Sequence, residues 1–170
     1  MKTMASVCVT GAAAIAVAIS GASLAGDHRD ADDFANRIAG LWKTDAVVGP
    51  CGSTPTRTVN NTLLFNANGT MLDNPRIGPN GIPVASGTYQ RGWGLGTWTY
   101  DARKNRYFIH VQFDRYVNNS YTGFTTVDRE IVLSKRATVA TGPVHVVEYD
   151  VNGEPIETNE VCGEATSTRL

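Results

Sequence analysis

The chain has 170 residues, which is enough for one domain and little more. Its 15 basic and 16 acidic side chains give a formal net charge of -1, which removes the electrostatic argument for a nucleic-acid or anionic-membrane partner. A charged share of 18% and a hydrophobic share of 42% argue against a disordered chain. Three cysteines are too few for a disulfide-dense mini-scaffold or for a zinc site of four cysteines from one chain.

Residues 1–25 differ in composition from the rest of the chain. Lys2 is their only charged residue, Ala5 to Ile19 is an almost unbroken apolar run, and Ser23-Leu24-Ala25 offers small residues where a signal peptidase reads. We therefore expect a secretory signal peptide over 1–25 and a periplasmic or extracellular protein with no membrane span after cleavage. The alternative is an uncleaved anchor, for which this run is short, because a membrane-spanning helix needs about 20 residues.

After one short helical stretch, the remaining chain has the pattern of an all-β protein. Residues 26–39 carry Phe34 and Ile38 about one helical turn apart, which allows a short N-terminal helix. Residues 40–170 read as one domain of about eight to ten short strands. The expected strands cover 40–51, 58–66, 70–72, 87–90, 96–100, 106–116, 121–134, 144–151 and 155–169. Residues 74–83, rich in Pro and Gly, are expected to form a loop.

Two cysteines help to choose between the two architectures that such an antiparallel meander allows, a closed barrel and a sandwich. Cleavage would remove Cys8 together with the signal peptide, and Cys51 and Cys162 would remain. Two cysteines in an exported chain predict one disulfide, here between Cys51 at the end of the first strand and Cys162 in the last. In an antiparallel ladder, the residue numbers of every opposed pair add up to the same index sum. The index sums of Cys51–Cys162 and of Trp42–Arg169 differ by two, which fits one ladder with a bulge or with Cys51 just beyond it. First strand beside last strand predicts a closed up-and-down barrel, and a sandwich with its disulfide between the sheets is the alternative.

Gly40-Leu41-Trp42 at the start of the first strand and Arg169 at the end of the last resemble the calycin pattern of lipocalins and their relatives. The resemblance implies a lipocalin-like barrel in which Arg169 lies across the indole of Trp42 at the closed end. Residues 40–170 also resemble small exported bacterial proteins of unassigned function, which share this start and a central Gly-x-Gly-x-Trp, here Gly94 to Trp98. The second resemblance implies no particular activity.

The motifs of common enzyme classes are missing from the sequence. There is no Gly-x-Ser-x-Gly nucleophile elbow, and the glycine-rich stretch Gly92 to Gly96 is not followed by a helix pattern that could bind phosphate. His110, Gln112 and Asp114 share one strand face, but this face is opposite the apolar one and reads as an exposed polar stripe. We predict no cofactor and no metal, and we favour a role without catalysis.

Three polar side chains fall in phase with the apolar faces of their strands: Asn61, Arg129 and, less clearly, His145. A polar group directed into a barrel costs free energy unless it is paired. An inward Arg129 therefore needs a carboxylate, several carbonyls, water or an anionic ligand. We expect it either to bind the acidic end of an amphipathic ligand or to be satisfied structurally. A structural Arg129 would lie near a strand end or pair with Glu148 or Asp150.

Aromatic side chains would supply the apolar half of a binding site. A barrel of about eight strands is just wide enough to fill itself or to hold one small ligand, and aromatic residues suit both cases. The candidate lining residues are Trp93, Trp98, Tyr107 and Phe113, together with Tyr89 and Phe124.

The leading hypothesis is an exported lipocalin-like barrel that binds a small, partly hydrophobic molecule without covalent chemistry. One alternative is an enzyme of the cyclase or isomerase type that uses the barrel cavity. Another is a structural or interaction protein of the cell envelope with a filled core. The sequence leaves the oligomeric state open. A cavity would separate the last alternative from the others, and a strongly shifted pKa inside it would favour an enzyme.

Overall fold

The computed structural model describes residues 34–78 and 80–170, so the predicted signal peptide over 1–25 lies outside the described residues. Short 3-10 helices span Asn36–Ile38 and Glu157–Asn159. In the described part of the chain, no helix is long and apolar enough to cross a membrane. The strands are β1 (Gly40–Pro50), β2 (Arg57–Phe65), β3 (Thr70–Pro75), β4 (Ile82–Val84), β5 (Gly87–Arg91), β6 (Gly94–Asp101), β7 (Arg106–Val117), β8 (Ser120–Leu133), β9 (Val139–Tyr149) and β10 (Val161–Arg169).

Eight of the strands close into an antiparallel barrel in the order β1, β2, β3, β6, β7, β8, β9 and β10, and β10 pairs back with β1. The β4–β5 hairpin is an insertion between β3 and β6, and β5 pairs with the end of β7 beyond the part that β6 covers. The all-β prediction and the closed up-and-down barrel are confirmed, and the sandwich alternative is wrong.

The β1–β10 ladder runs without a shift from Trp42 opposite Arg169 to Gly49 opposite Cys162. Cys51 lies just beyond the end of β1, its N–H donating to the carbonyl of Glu160 at 3.2 Å, and it forms the predicted disulfide with Cys162. The difference of two between the index sums therefore arises because Cys51 sits past the ladder, and the ladder itself contains no bulge.

Trp42 and Arg169 seal the end of the barrel that the short helix Asn36–Ile38 covers. Trp42 is fully buried and its indole N–H donates to the carbonyl of Ile38 at 2.8 Å. The guanidinium carbon of Arg169 lies 4.5 Å from the Trp42 ring centroid, and the same group donates to the carbonyls of Ala137 and Ala39 at 2.8 and 2.7 Å. We call this end the closed end and the opposite end, where β1 stops and β10 begins, the mouth.

Three strand boundaries depart most from the sequence-based expectation. The loop over 74–83 contains the start of strand β4, β9 begins at Val139, and the last strand begins only at Val161. The first half of β9 is difficult to recognise in the sequence because Gly142 and Pro143 interrupt the alternation of apolar and polar residues. In the structure, the β8–β9 ladder skips both residues. Gly142 is required there, since its φ is 154° and an added Cβ would lie 2.0 Å from the carbonyl oxygen of Glu130.

The disulfide should make a large contribution to stability because it joins residues 111 positions apart at the seam of the barrel. In the chain-entropy model a loop of that length adds about 4–5 kcal/mol to the free energy of unfolding. We expect the double variant C51S/C162S to lose up to this amount in urea unfolding. A reducing agent should lower the stability of the wild-type protein to the same level and leave the double variant unchanged; an equal effect on both proteins would contradict the prediction.

Candidate functional site

A cavity of about 660 Å³ occupies the barrel between the closed-end core and the mouth. Pockets that hold small molecules typically measure about 300–1,000 Å³, so this cavity is large enough for one such molecule. The apolar residues of its wall include Ala46, Val48, Val59, Leu63, Met71, Ile109, Val111, Phe113, Val127, Val144, Val146, Val161 and Ala165. Its mouth is bordered by the β4–β5 hairpin and by the segment that follows β3.

The size of the inward side chains explains why one half of the barrel is filled and the other contains the cavity. At the closed end, large side chains such as Trp42, Phe65 and Trp98 belong to one buried core cluster. Nearer the mouth, Ala46 on β1 lies directly opposite Ala165 on β10, and both side chains face the cavity. Their two methyl groups lie side by side on neighbouring strands, and side chains this short leave the space in front of them unfilled.

Arg129 lies in the middle of β8 with only 6% of its surface exposed, and its side chain lines the cavity. Its guanidinium donates to the hydroxyl of Ser167 at 2.9 Å and to the carbonyls of Ala165 and Ala140 at 2.8 and 3.3 Å. Burial lowers the pKa of Arg129 from 12.5 to about 10, and nearby Glu164 offsets part of this effect. The group therefore stays protonated at neutral pH.

No carboxylate of residues 34–78 and 80–170 forms an ion pair with Arg129. The strand end and the ion pairs with Glu148 and Asp150 are thus wrong as structural alternatives, whereas satisfaction by carbonyls is what the structure shows. Arg129 is not near a strand end, and Glu148 pairs instead with Arg115, their nearest atoms 2.8 Å apart. A buried cation satisfied only by neutral acceptors is costly, and an anion bound beside it would remove much of that cost.

Within the described chain, three buried side-chain polar atoms have no hydrogen-bond partner: Arg115 Nε, Thr125 Oγ1 and Arg129 Nε. All three residues line the cavity, and all three lie on the neighbouring strands β7 and β8. Leaving such an atom unpaired costs about 1–3 kcal/mol, so these atoms are candidates for contacts with a ligand. We call Arg115, Thr125 and Arg129 the polar wall.

Asp73 and Arg91 form a buried ion pair on the cavity wall, with Arg91 Nη2 2.7 Å from Asp73 Oδ2. Asn61 donates to the other carboxylate oxygen of Asp73 at 2.7 Å. The guanidinium carbon of Arg91 lies 3.4 Å from the ring centroid of Phe113, which is a close cation–π contact. Asn61 and Phe113 thus line the cavity as the sequence suggested, and both help to position the ion pair.

Tyr89 stands at the mouth among charged side chains. Burial raises the pKa of its hydroxyl, the guanidiniums of Arg91, Arg115 and Arg57 lower it, and Glu148 raises it further. Because Arg129 has a pKa of about 10 and that of Tyr89 lies above 10.0, neither of these cavity groups titrates near neutral pH. Their shifted pKa values therefore do not identify a general base or acid for catalysis at neutral pH.

The cavity has the opposite charge from the chain as a whole. It is lined by five arginines and two carboxylates, a formal surplus of three positive charges, whereas the whole chain carries -1. A concave site with walls of low dielectric focuses such a field and attracts ligands of opposite charge. The arrangement is suited to the recognition of an anion with an apolar body.

The structure places the other candidate aromatic residues outside the cavity wall. Trp98 and Tyr107 belong to the closed-end core, where Trp98 Nε1 donates to the carbonyl of Asn66 at 2.9 Å and the Tyr107 hydroxyl donates to the carbonyl of Phe34 at 2.6 Å. Trp93 is 63% exposed. Alternation predicts which side chains face inward, but not how far along the barrel axis they lie, and this explains Trp98 and Tyr107.

The expected inward position of His145 is wrong. Its neighbours Val144 and Val146 line the cavity, so His145 points outward, opposite Cys162 on β10. Its Nε2 lies 3.8 Å from a carboxylate oxygen of Glu160. Possible metal-ligand atoms of His145 and the two cysteines lie within 4.8 Å of one another, but the disulfide occupies both sulfur atoms.

The residues of the site that escaped the sequence analysis include Asp73, Arg91, Arg115 and Thr125, together with Arg57 and Arg76 at the mouth. Arg115 was detectable, because it continues the inward parity of Ile109, Val111 and Phe113. Thr125 was detectable in the same way, because it continues the inward parity of Val127, Arg129 and Ile131, and so was Arg57, which continues that of Val59 and Asn61. Asp73, Arg76 and Arg91 stand in short or irregular stretches where parity is weak. No protein-family model, no curated protein and no solved structure matches the chain, so the function is inferred from this geometry.

The buried pair of Asp73 and Arg91 should be important for stability. Replacing Asp73 by Asn leaves the Arg91 guanidinium without its counter-charge, and breaking a buried pair costs about 3 kcal/mol or more. We expect D73N to lower the free energy of urea unfolding by that amount. The matched control is D128N, which removes an exposed carboxylate paired with His110 and should cost less than about 1 kcal/mol. Equal losses in the two variants would show that burial of the Asp73 pair is unimportant.

Proposed function

We propose that the protein is an exported, lipocalin-like barrel that binds one small, partly hydrophobic molecule in its cavity. The observation that carries this proposal is the buried Arg129 guanidinium on the wall of an otherwise largely apolar cavity of about 660 Å³. The apolar wall would bury the body of the ligand, and Arg129 would bind an acidic group at its inner end. A carboxylate there would accept charge-assisted hydrogen bonds from the unpaired Arg129 Nε and the Thr125 hydroxyl.

Two further observations support the class of protein that we propose. The Cys51–Cys162 disulfide is typical of proteins in oxidising compartments, which agrees with the expected export. The contact of Arg169 with Trp42 at the closed end is the arrangement that the resemblance to lipocalins implies. Binding is favoured over a cyclase or isomerase role because the shifted groups of the cavity, Arg129 and Tyr89, do not titrate near neutral pH. The cavity itself argues against a solid envelope protein.

Blocking the cavity should abolish binding of a neutral hydrophobic probe. Ala46 faces the cavity and Val47, the next residue on β1, is 46% exposed on the outside, so A46F and V47F form a matched pair. We expect N-phenyl-1-naphthylamine to bind the wild-type protein and V47F alike, and A46F to bind at least about tenfold more weakly because the new ring occupies the volume. Fluorescence titration measures the affinities, and circular dichroism checks the fold. Equal affinity in A46F and V47F would place the probe outside the cavity.

Removal of the Arg129 charge should remove the preference for acids. We expect the wild-type protein to bind decanoate more tightly than decanol, and R129M to lose about ten- to a hundredfold in decanoate affinity, the equivalent of a hydrogen bond to a charged group. Decanol affinity should change little. The stability of R129M should equal or exceed that of the wild-type protein, because the substitution removes a buried charge without a counter-charge.

The control for this substitution is R136M, which removes an exposed arginine from the turn between β8 and β9 at the closed end. Calorimetric titration should give the same decanoate affinity for R136M as for the wild-type protein. Undiminished binding of decanoate by R129M would overturn the role of Arg129. Native mass spectrometry of the wild-type protein and of A46F, both purified from the protein's own host, would then identify the physiological ligand as a bound mass that only the wild-type protein carries.

A further inference from the structure

The surplus positive charge of the cavity lies at two separate levels. Arg91 and Arg115 are neutralised by Asp73 and Glu148, each pair with a nearest distance of 2.7 or 2.8 Å. Arg129 lies deep in the barrel without such a partner. Arg57 and Arg76 line the same cavity at the mouth, and neither forms an ion pair with any carboxylate in the described ranges 34–78 and 80–170.

The strand register gives the separation of these two levels. The Arg129 guanidinium donates to Ser167, whose hydroxyl is 2.7 Å from that of Thr44, and Thr44 lies opposite Asn61 on β2. Arg57 is four residues from Asn61 along β2, towards the mouth. At about 3.3 Å per residue, the backbone of Arg57 is about 13 Å along the strand from the level of the Arg129 guanidinium. Apolar side chains such as Val59 and Val146 line the space between them.

The outer level is a convergence of basic groups rather than a single surface side chain. The N–H of Arg76 donates to the carbonyl of Asn60 at 3.2 Å, which fixes its backbone beside β2 and three residues from Arg57 in register. Arg57 and Arg115 stand on different strands, and both guanidiniums act to lower the pKa of the Tyr89 hydroxyl. Their electrostatic fields therefore overlap at the mouth. Arg115 is buried and its Nε has no hydrogen-bond partner within the described residues.

We propose that the ligand carries an anionic group at each end of an apolar body, as an α,ω-dicarboxylate does. The inner carboxylate would be bound by Arg129 Nε and the Thr125 hydroxyl, and the outer one by Arg57, Arg76 and Arg115 Nε. This inference rests on the proposed binding function and adds the second charge and the direction of the ligand. A monocarboxylate matches only one of the two levels, whereas a dianion with an apolar body matches both levels and the apolar side chains between them.

Paired acids of equal chain length test the second charge. We expect calorimetric titration to show that the wild-type protein binds decanedioate about tenfold more tightly than decanoate, the equivalent of one charge-assisted hydrogen bond. The variant R57Q/R76Q should lose this preference and keep its affinity for decanoate. R115K keeps a positive charge beside Glu148 and removes the Nε donor, so it should lose part of the preference. R129M should bind both acids weakly.

Arg103 and Arg136 provide the matched control, because both are exposed and lie in turns at the closed end. R103Q/R136Q changes the net charge by the same amount as R57Q/R76Q and should leave the preference intact. Equal affinities of the wild-type protein for decanoate and decanedioate would overturn the two-anion inference. The proposed function would still stand if decanoate depends on Arg129 and the neutral probe depends on Ala46. Absence of binding of both acids and the neutral probe would overturn the proposed function and, with it, this inference.

Discussion

The pairing of the first strand with the last is the constraint on which the rest of the molecule depends. The β1–β10 ladder runs from Trp42 opposite Arg169 at the closed end to Gly49 opposite Cys162 at the mouth, without a register shift. It removes both edges of the sheet, which would otherwise expose unpaired backbone groups. It also gives the protein an inside, because only a closed sheet separates inward from outward side chains around its whole circumference. The Trp42–Arg169 contact and the disulfide hold the two ends of this one seam.

Closure creates an interior, and different kinds of side chain occupy its two halves. The short helix Asn36–Ile38 and the aromatic side chains of the closed-end core fill one half, and they bring most of the buried apolar volume with them. The remaining half is lined by small and β-branched residues and by arginines. The filled core and the cavity are thus separated along the barrel axis. The cavity can carry polar groups because the closed-end core and the seam supply stability elsewhere.

The architecture was predictable from the sequence because it depends on local alternation of apolar and polar residues and on the positions of a few residues near the chain ends. Alternation identified most of the strands, and the positions of Trp42, Arg169 and the cysteines identified the closing pair. The site was predictable only in part. Parity placed Asn61, Phe113 and Arg129 inside, and the structure agrees. It failed for His145, because the apolar residues Val147, Tyr149 and Val151 suggested the wrong inward phase for the end of β9. It also could not place Trp98 and Tyr107 along the axis.

The ion pairs of the site show why Arg129 differs from its neighbours. Asp73 and Glu148 come from β3 and β9, and each reaches an arginine from another strand, so those two guanidiniums are held in place by charges of opposite sign. At the depth of Arg129, the same wall offers only a hydroxyl and two carbonyls. A carboxylate at this depth would compensate the buried charge, but it would also occupy the place of the acid group of the proposed ligand. Under the proposed function, the uncompensated charge costs folding free energy that binding of an anion would recover, and this would couple the stability of the barrel to its occupancy.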